Sequence, residues 1–598
     1  MSTATSLKAY RGDAKTLLAF NVAKGSAKNL AGFTIQCQPE GQPAYYLHNT
    51  LQFETPGDHA HDAKEPANSS INAPIHKFRW LHVPGSVHQG TTPFYGQYKY
   101  TVTARYFDQK GSLLPLDPSL SASVTTQVGP FCKQGLELGF TRGFTQSQAF
   151  VNHFGLKAAI QPKTKTLVYD TSQVAGTNAA GATFTYAQEY EWLGFTAREK
   201  VMAILDEVVQ DPGLKLDVFA YDLNETDVVS RLLKLADQGR VRIILDNAAL
   251  HHGSPPKPED KFESLFKAAA KGAAQILRGK FGRYSHDKVF IVSNQQGPIK
   301  VLTGSTNFSV TGIYVNSNHV LVFNDPTVAA KYSEVFQTSW DGRADKSAFV
   351  KAAVAGQTFS FSNAQTPPTH ITFSPHSQTF ADQVLGGLAA RIEKEGEKQG
   401  GSVLFAVMEL ASGSGPVFPA LESLHKEQNI FSYGISDTPD GIYLYTPGTK
   451  NGVLVTGKPV GTKLPPPFNQ VPGLGLGHQI HHKFVVCGFN GDDPVVYCGS
   501  SNLAAGGETA NGDNLLAIHD ADVATVFAIE ALGLVDHFDF LDRCASQAGK
   551  AAPKGSVAAN KRQAAVSAGW FLSTDDKWTQ PYFDPDDLHC VDRQMFGS

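Results

Sequence analysis

One pattern of side chains occurs twice in this chain, at the same interval each time. The first copy reads His286-Asp287-Lys288-Val289-Phe290-Ile291-Val292, followed by Gly304-Ser305-Thr306-Asn307. The second reads His481-His482-Lys483-Phe484-Val485-Val486-Cys487, followed by Gly499-Ser500-Ser501-Asn502. The offset is 195 residues from His286 to His481, from Lys288 to Lys483 and from Asn307 to Asn502. Each apolar run is rich in β-branched and aromatic residues and reads as a buried strand. Side chains alternate along a strand, so His286 and Lys288 share one face, with Asp287 on the other. His481 and Lys483 do the same, with His482 turned away. Turn formers follow each run (Ser293 to Pro298, and Gly488 to Asp493), and a second apolar strand then ends at the Gly-Ser pair. Each copy is therefore a hairpin that presents an imidazole, an ammonium, a hydroxyl and a carboxamide together. Lysine as a point charge, with serine and asparagine as hydrogen-bond donors, is a set suited to holding phosphate.

The repeat runs further. Asn316 lies twelve residues past Gly304 and Asn511 twelve past Gly499, and each precedes an apolar strand ending near an aspartate, Asp325 or Asp520. A duplicated His-x-Lys with a following Gly-Ser-x-Asn resembles the phospholipase D superfamily of metal-independent phosphodiesterases. The resemblance covers roughly residues 185–540. It implies two α/β lobes packed as a single-chain pseudo-dimer, with both motifs at one cleft. It further implies a two-step reaction through a phosphohistidine, with His286 as nucleophile and His481 as general acid and base. Lys288, Lys483, Asn307 and Asn502 would stabilise the charged transition state, helped by Ser305 and Ser500. In similar single-chain enzymes a second-lobe carboxylate orients the first-lobe histidine; here that is Asp513, whose first-lobe counterpart is Asn318. The family motif places an aspartate five residues after the lysine, where this chain has Ser293 and Gly488. That departure weakens the classical phospholipase assignment more than catalysis itself, and some nucleic-acid phosphodiesterases of the superfamily share it.

Composition narrows the class. Hydrophobic residues make up 41% and charged residues 18% of the 598, an ordinary globular balance, and the net charge of −4 gives no bulk pull toward nucleic acid or anionic membrane. No run reaches the length of a membrane helix and the first residues lack a signal-peptide core, so a cytoplasmic protein is expected. Six cysteines in this length are no disulfide scaffold; Cys487 and Cys498 read as buried thiols, and Cys37 with Cys132 could bridge.

Residues 1–130 contain short alternating segments such as Tyr98 to Tyr106 between Gly/Pro/Asp clusters, which predicts a β-sandwich resembling a fibronectin type III module. From about 150 the pattern becomes α/β, with a helix over Glu189–Val209, a strand over Leu216–Tyr221, a helix over Thr226–Asp237 and a strand over Val241–Asp246. That order implies a parallel βαβ unit. Val403–Met408 and Ala420–Leu424 echo it. The expected domains are 1–130, a first lobe over 150–350, a second over 373–545 and an extension over 546–598. Thr358–Thr372 is read as the connection between the lobes.

Other signals are weak. Gly473 to Gly477 lacks the spacing of a nucleotide-phosphate loop and, with Pro465–Pro467, is read as bordering the cleft. His478, His481 and His482 lack zinc-ligand spacing, the histidines of the first domain match no ligand pattern, and His251-His252 are assigned no specific role. No metal or cofactor is expected. The substrate is a phosphodiester, with phospholipid favoured over nucleic acid because Lys and Arg near the second motif are few and the stretch from Pro465 to Leu474 is apolar. The internal duplication favours a monomer. The alternative is a retired pseudo-dimer serving as a scaffold.

Overall fold

The computed structural model describes residues 5–85, 88–90, 92–143, 148–155, 158–163, 166–178, 180–408, 410–424, 430–437, 442–444, 453–455, 480–549 and 571–597. Residues 465–467 and 473–478, expected to border the cleft, lie outside the described residues.

Two mixed sheets dominate. The first has eight strands in the order Gln275–Gly279, Val241–Asp246, Lys215–Ala220, Val289–Asn294, Gly297–Gly304, His319–Phe323, Leu136–Phe140 and Cys132–Lys133. Its first three strands are parallel and the rest antiparallel. The second has seven strands, in the order Phe359–Phe361, Thr369–Ser374, Asp513–Ile518, Val495–Gly499, Lys483–Cys487, Ser402–Val407 and Phe431–Ser436. Read from opposite ends, seven consecutive strands of each sheet correspond in order and direction. The motif hairpin sits in the middle of both.

The local physics is simple. Helix Thr226–Asp237 starts where the Glu225 side chain accepts the Val228 N–H, and it buries Val228, Val229, Leu232 and Leu235 against the first sheet. Along Val289–Asn294 the two faces go to two cores. Phe290 and Val292 face helices Tyr186–Gln210 and Thr226–Asp237, whereas Val289 and Ile291 join a larger core with helix Pro326–Asp341 and the second sheet. A sheet buried on both faces reads as a continuous apolar run, as these strands do.

Several boundaries differ from those expected. The first lobe takes strands from residues 132–140, ahead of the expected start at 150. The expected connection Thr358–Thr372 holds strand Phe359–Phe361 and the start of Thr369–Ser374, which pairs along Asp513–Ile518 as Leu136–Phe140 pairs along His319–Phe323. Composition read those residues as a linker because the strands are short and lie among Ser, Thr and Pro residues.

Residues 5–128 form a three-stranded and a four-stranded antiparallel sheet, with Phe20, Phe33, Ile35, Phe78, Tyr98 and Val102 between them. The described end of the chain packs on this unit. Trp578 and Phe583 join its core, and Arg593 bonds Asn21. Arg79 binds Asp536 and Asp592 at 2.6 and 2.8 Å, clamping the β unit to helices Ala521–Gly549 and Leu588–Gly597. Cys37 is buried, Cys132 is exposed, and both are free, so they do not bridge; Cys487 and Cys498 are buried thiols. Among the described residues no helix is long and apolar enough to cross a membrane.

Candidate active site

Both histidines of the repeat sit one residue past a strand-like bridge to the opposite lobe. Ser285 pairs with Gly512, and Ile480 pairs with Ser317. The His286 N–H donates to the Gly512 carbonyl at 2.9 Å, and the His481 N–H to the Ser317 carbonyl at 3.1 Å. These contacts exchange under the 195-residue offset. The side chains obey the same rule. His286 Nδ1 lies 2.7 Å from Asp513 Oδ1, and His481 Nδ1 lies 2.8 Å from Asn318 Oδ1. Asn318 donates its amide N–H to the Gly312 carbonyl, so its oxygen faces His481 and Nδ1 is the donor there. Chemistry at each imidazole then falls to Nε2.

The residues expected at the site are buried beside these contacts: His286, Lys288, Ser305, Asn307, His481, Lys483, Ser500 and Asp513 are all under a tenth exposed, and Asn502 is half-buried. Lys288 donates to the His286 carbonyl and lies 4.7 Å from the Tyr221 ring centre. Lys483 donates to the His481 carbonyl at 2.7 Å and to the Met408 sulfur at 3.3 Å. Ser305 donates to Asn318 Oδ1 at 2.8 Å, the oxygen that faces His481, and Ser500 hydrogen-bonds Asp513. Each serine accepts a backbone N–H from the neighbouring strand, from His319 and Asn514, at 3.0 Å. Asn307 and Asn502 each keep a buried Oδ1 without a hydrogen-bond partner among the described residues.

The glycine before each serine has a definite cause. Gly304 and Gly499 have φ of 137° and 134°, and a Cβ there would sit 2.4 Å from the carbonyl of His319 or Asn514. Only glycine lets the next strand approach closely enough for the serine to take its N–H. The residues at the missing aspartate positions, Ser293 and Gly488, lie about 16 Å along the strand from the lysines at ~3.3 Å per residue. They face the far end of the sheet, so their identity does not alter the cluster around the histidines.

Electrostatics separates the two halves. Burial holds His286 well below the ordinary imidazole value, with Lys288 and Lys483 adding to the effect, so the neutral ring is the resting form. Burial raises Asp513 to about 7 although Lys288 opposes it, and lowers Lys288 to about 8 although Asp513 opposes that. The carboxylate thus faces His286, whereas a neutral amide faces His481.

Sequence reading passed over several contributors. Asp246 Oδ1 accepts the Ser285 N–H at 2.7 Å, and Asp437 takes the equivalent N–H of Ile480 at 3.5 Å. Asp246 ends, and Asp437 directly follows, a strand one removed from its motif hairpin, and an acid at the end of an apolar strand is the signal that could have found them. The residues turned away from the cleft also pair across the lobes. Asp287 accepts from Asn514 at 2.7 Å, and His482 meets His319 at 3.1 Å. His251, assigned no role from sequence, contacts Asp246 at 2.9 Å, and the Tyr221 ring lies between it and His286.

Comparison with known proteins agrees with part of this. Residues 210–340 match the family described as "Cardiolipin synthase, PLD-like domain", where PLD is phospholipase D. The mitochondrial cardiolipin hydrolase of Chlamydomonas reinhardtii is 27% identical over 127 residues, which is 21% of this chain and 51% of that protein. The chain thus spans about half the length of the curated relative it matches. Among solved structures, the polyphosphate kinase of Porphyromonas gingivalis is 13% identical with a TM-score of 0.35, covering 55% of this chain and 45% of the kinase. Nuc of Salmonella typhimurium, a phospholipase D family member, is 21% identical with a TM-score of 0.20, covering 24% of this chain and 88% of Nuc. Yeast tyrosyl-DNA phosphodiesterase is 11% identical with a TM-score of 0.27, covering 53% of this chain and 86% of the enzyme.

Proposed function

We propose that this chain is a phosphodiesterase of the phospholipase D type whose two lobes, 150–350 extended by the strands of 132–140 and 373–545 extended by the strands of 359–374, act as a single-chain pseudo-dimer. The observation that carries the reading is the reciprocity of the cross-lobe contacts: His286 with Asp513, and His481 with Asn318. One histidine from each lobe is oriented by the other lobe, so the cluster is complete only when both are present. The matched phospholipase D-like region, 210–340, contains the whole first motif.

In this mechanism His286 Nε2 attacks phosphorus as the neutral imidazole, and Asp513 stabilises the charge that develops on the ring. The bond to the leaving alcohol breaks, and His481 gives its Nε2 proton to that oxygen. His481, now neutral, takes a proton from water. The resulting hydroxide attacks phosphorus, the P–N bond breaks, and His286 is restored. Lys288, Lys483, Asn307 and Asn502 offset charge on the phosphoryl oxygens. Ser305 and Ser500 add hydrogen bonds to Asn318 and Asp513, the groups that orient the two histidines.

The substrate we favour is a phospholipid. The curated relative is named a cardiolipin hydrolase, and a net charge of −4 does not suit a sequence-independent nucleic-acid binder. The β unit before the lobes, with its three- and four-stranded sheets, is proposed to be a fibronectin III-like module. The test is hydrolysis of bis(p-nitrophenyl) phosphate with EDTA present, followed by cardiolipin vesicles and single-stranded DNA. Turnover that His286→Ala abolishes, together with release of phosphatidic acid from vesicles, supports the reading. Turnover on DNA alone moves the substrate to nucleic acid, and turnover indifferent to His286 removes the mechanism.

A further inference from the structure

We propose that Asp222, His251 and Glu259 form a binding site for one divalent cation beside the first-lobe motif, distinct from the residues that handle the phosphodiester. A ring nitrogen of His251 and one carboxylate oxygen from each acid lie within 4.8 Å of one another. Three elements bring them together. Asp222 follows strand Lys215–Ala220, His251 lies in the turn after Val241–Asp246, and Glu259 is the second residue of helix Pro258–Ala269.

Three observations point to a ligand. His251 is 8% exposed, its Nδ1 is bonded to Asp246 at 2.9 Å, and its Nε2 has no hydrogen-bond partner among the described residues. A carboxylate behind a histidine fixes the tautomer that leaves Nε2 with a lone pair, as at histidine metal sites. Second, no lysine or arginine makes an ion pair with Asp222 or Glu259 among the described residues, although Glu259 is 1% exposed. Two other buried acids have a cation, Glu530 with Lys15 and Asp592 with Arg79, although buried Glu189 has none among the described residues. Third, the acids are held in place through one oxygen each. Glu259 Oε1 accepts the Leu223 N–H and Asp222 Oδ1 accepts from Asn224, both at 3.1 Å, which leaves the second oxygens for a ligand.

Lone pairs that converge in a partly buried cluster without a donor favour a cation or a proton among them. One imidazole and two carboxylates suit a borderline ion such as Zn²⁺ or Mn²⁺ better than an all-oxygen-seeking one. Half-buried Asp222 gives the ion a route from solvent. The Tyr221 ring lies 4.4 Å from His251 and 4.6 Å from His286, so a bound ion would stiffen the wall of the catalytic cluster.

The test uses the full chain stripped of metal and dialysed against Zn²⁺ or Mn²⁺, with bound metal counted by mass spectrometry. Wild type should take up one equivalent, and its thermal midpoint should rise with the ion. His251→Ala and the isosteric Glu259→Gln should each bind at least about tenfold more weakly. Glu259→Gln keeps an acceptor for the Leu223 N–H, so it decides the matter if His251→Ala fails to fold. No stoichiometric uptake, or uptake that Glu259→Gln retains, overturns the proposal in favour of a shared proton. Binding is read without turnover, so this result and that of the phosphodiesterase assay stand apart.

Discussion

Replacing Asp513 with asparagine should separate the two halves of the site. The change keeps the side chain's shape and removes the charge facing His286. Both partners are buried, 4% and 1% exposed, and meet at 2.7 Å. A hydrogen bond to a charged group is worth about 1.5–3 kcal/mol net. If that is felt mainly as the imidazole becomes charged, kcat/KM should fall by about 10- to 150-fold at ~1.4 kcal/mol per decade. Asn318 makes the equivalent bond to His481 as a neutral group, worth about 0.5–1.5 kcal/mol. Asn318→Ala should therefore cost only about 2- to 12-fold. The assay is turnover of a phosphodiester with an unactivated alcohol leaving group, at pH 8, where Asp513 at about 7 is largely ionised. An Asp513→Asn enzyme within twofold of wild type would refute the reasoning, as would a larger loss from Asn318→Ala.

Two further outcomes follow from the same structure. Burial lowers Lys288 to about 8, so its charge is lost as pH rises through that value and kcat/KM should fall there with unit slope. Asp513 opposes that lowering, so in Asp513→Asn the basic limb should move to lower pH; a wild-type profile flat to pH 10 would contradict the assignment. Arg79→Ala leaves buried Asp592 and partly exposed Asp536 without their shared cation, which should destabilise the chain by about 2–4 kcal/mol in denaturant titration. A loss under about 1 kcal/mol would mean that the clamp between the β unit and the second lobe is not built on this arginine.

The duplication made the centre of each sheet legible, because a motif hairpin with β-branched runs fixes both strand identity and facing. The helix over Thr226–Asp237 and the strand over Val241–Asp246 could be read to the residue from apolar spacing and a closing glycine. The strands toward one end of the second sheet were not legible. Thr369–Ser374 is paired along its length, yet its Ser, Thr and Pro neighbours look like a linker, since the pairing comes from backbone groups. The cleft contacts divided the same way. Asp513 was singled out because the resemblance expects an acid two residues past Asn511, and it lies 2.7 Å from His286. Pairs such as Asp287 with Asn514 and His482 with His319 involve residues facing the other lobe, and only the three-dimensional arrangement brings them together. His251 stood in an unmarked loop, and its neighbours come from three separate elements.

The most direct test of the central claim is a quenched-flow reaction of His481→Ala with bis(p-nitrophenyl) phosphate, followed by mass spectrometry of the protein at neutral pH. p-Nitrophenolate leaves without a general acid, so the first step survives the substitution, while the second lacks its base. The account predicts a burst of one equivalent of p-nitrophenolate with the phosphoryl group trapped on His286, and no burst from His286→Ala. A burst from His286→Ala, or a label found on any other side chain, would contradict it.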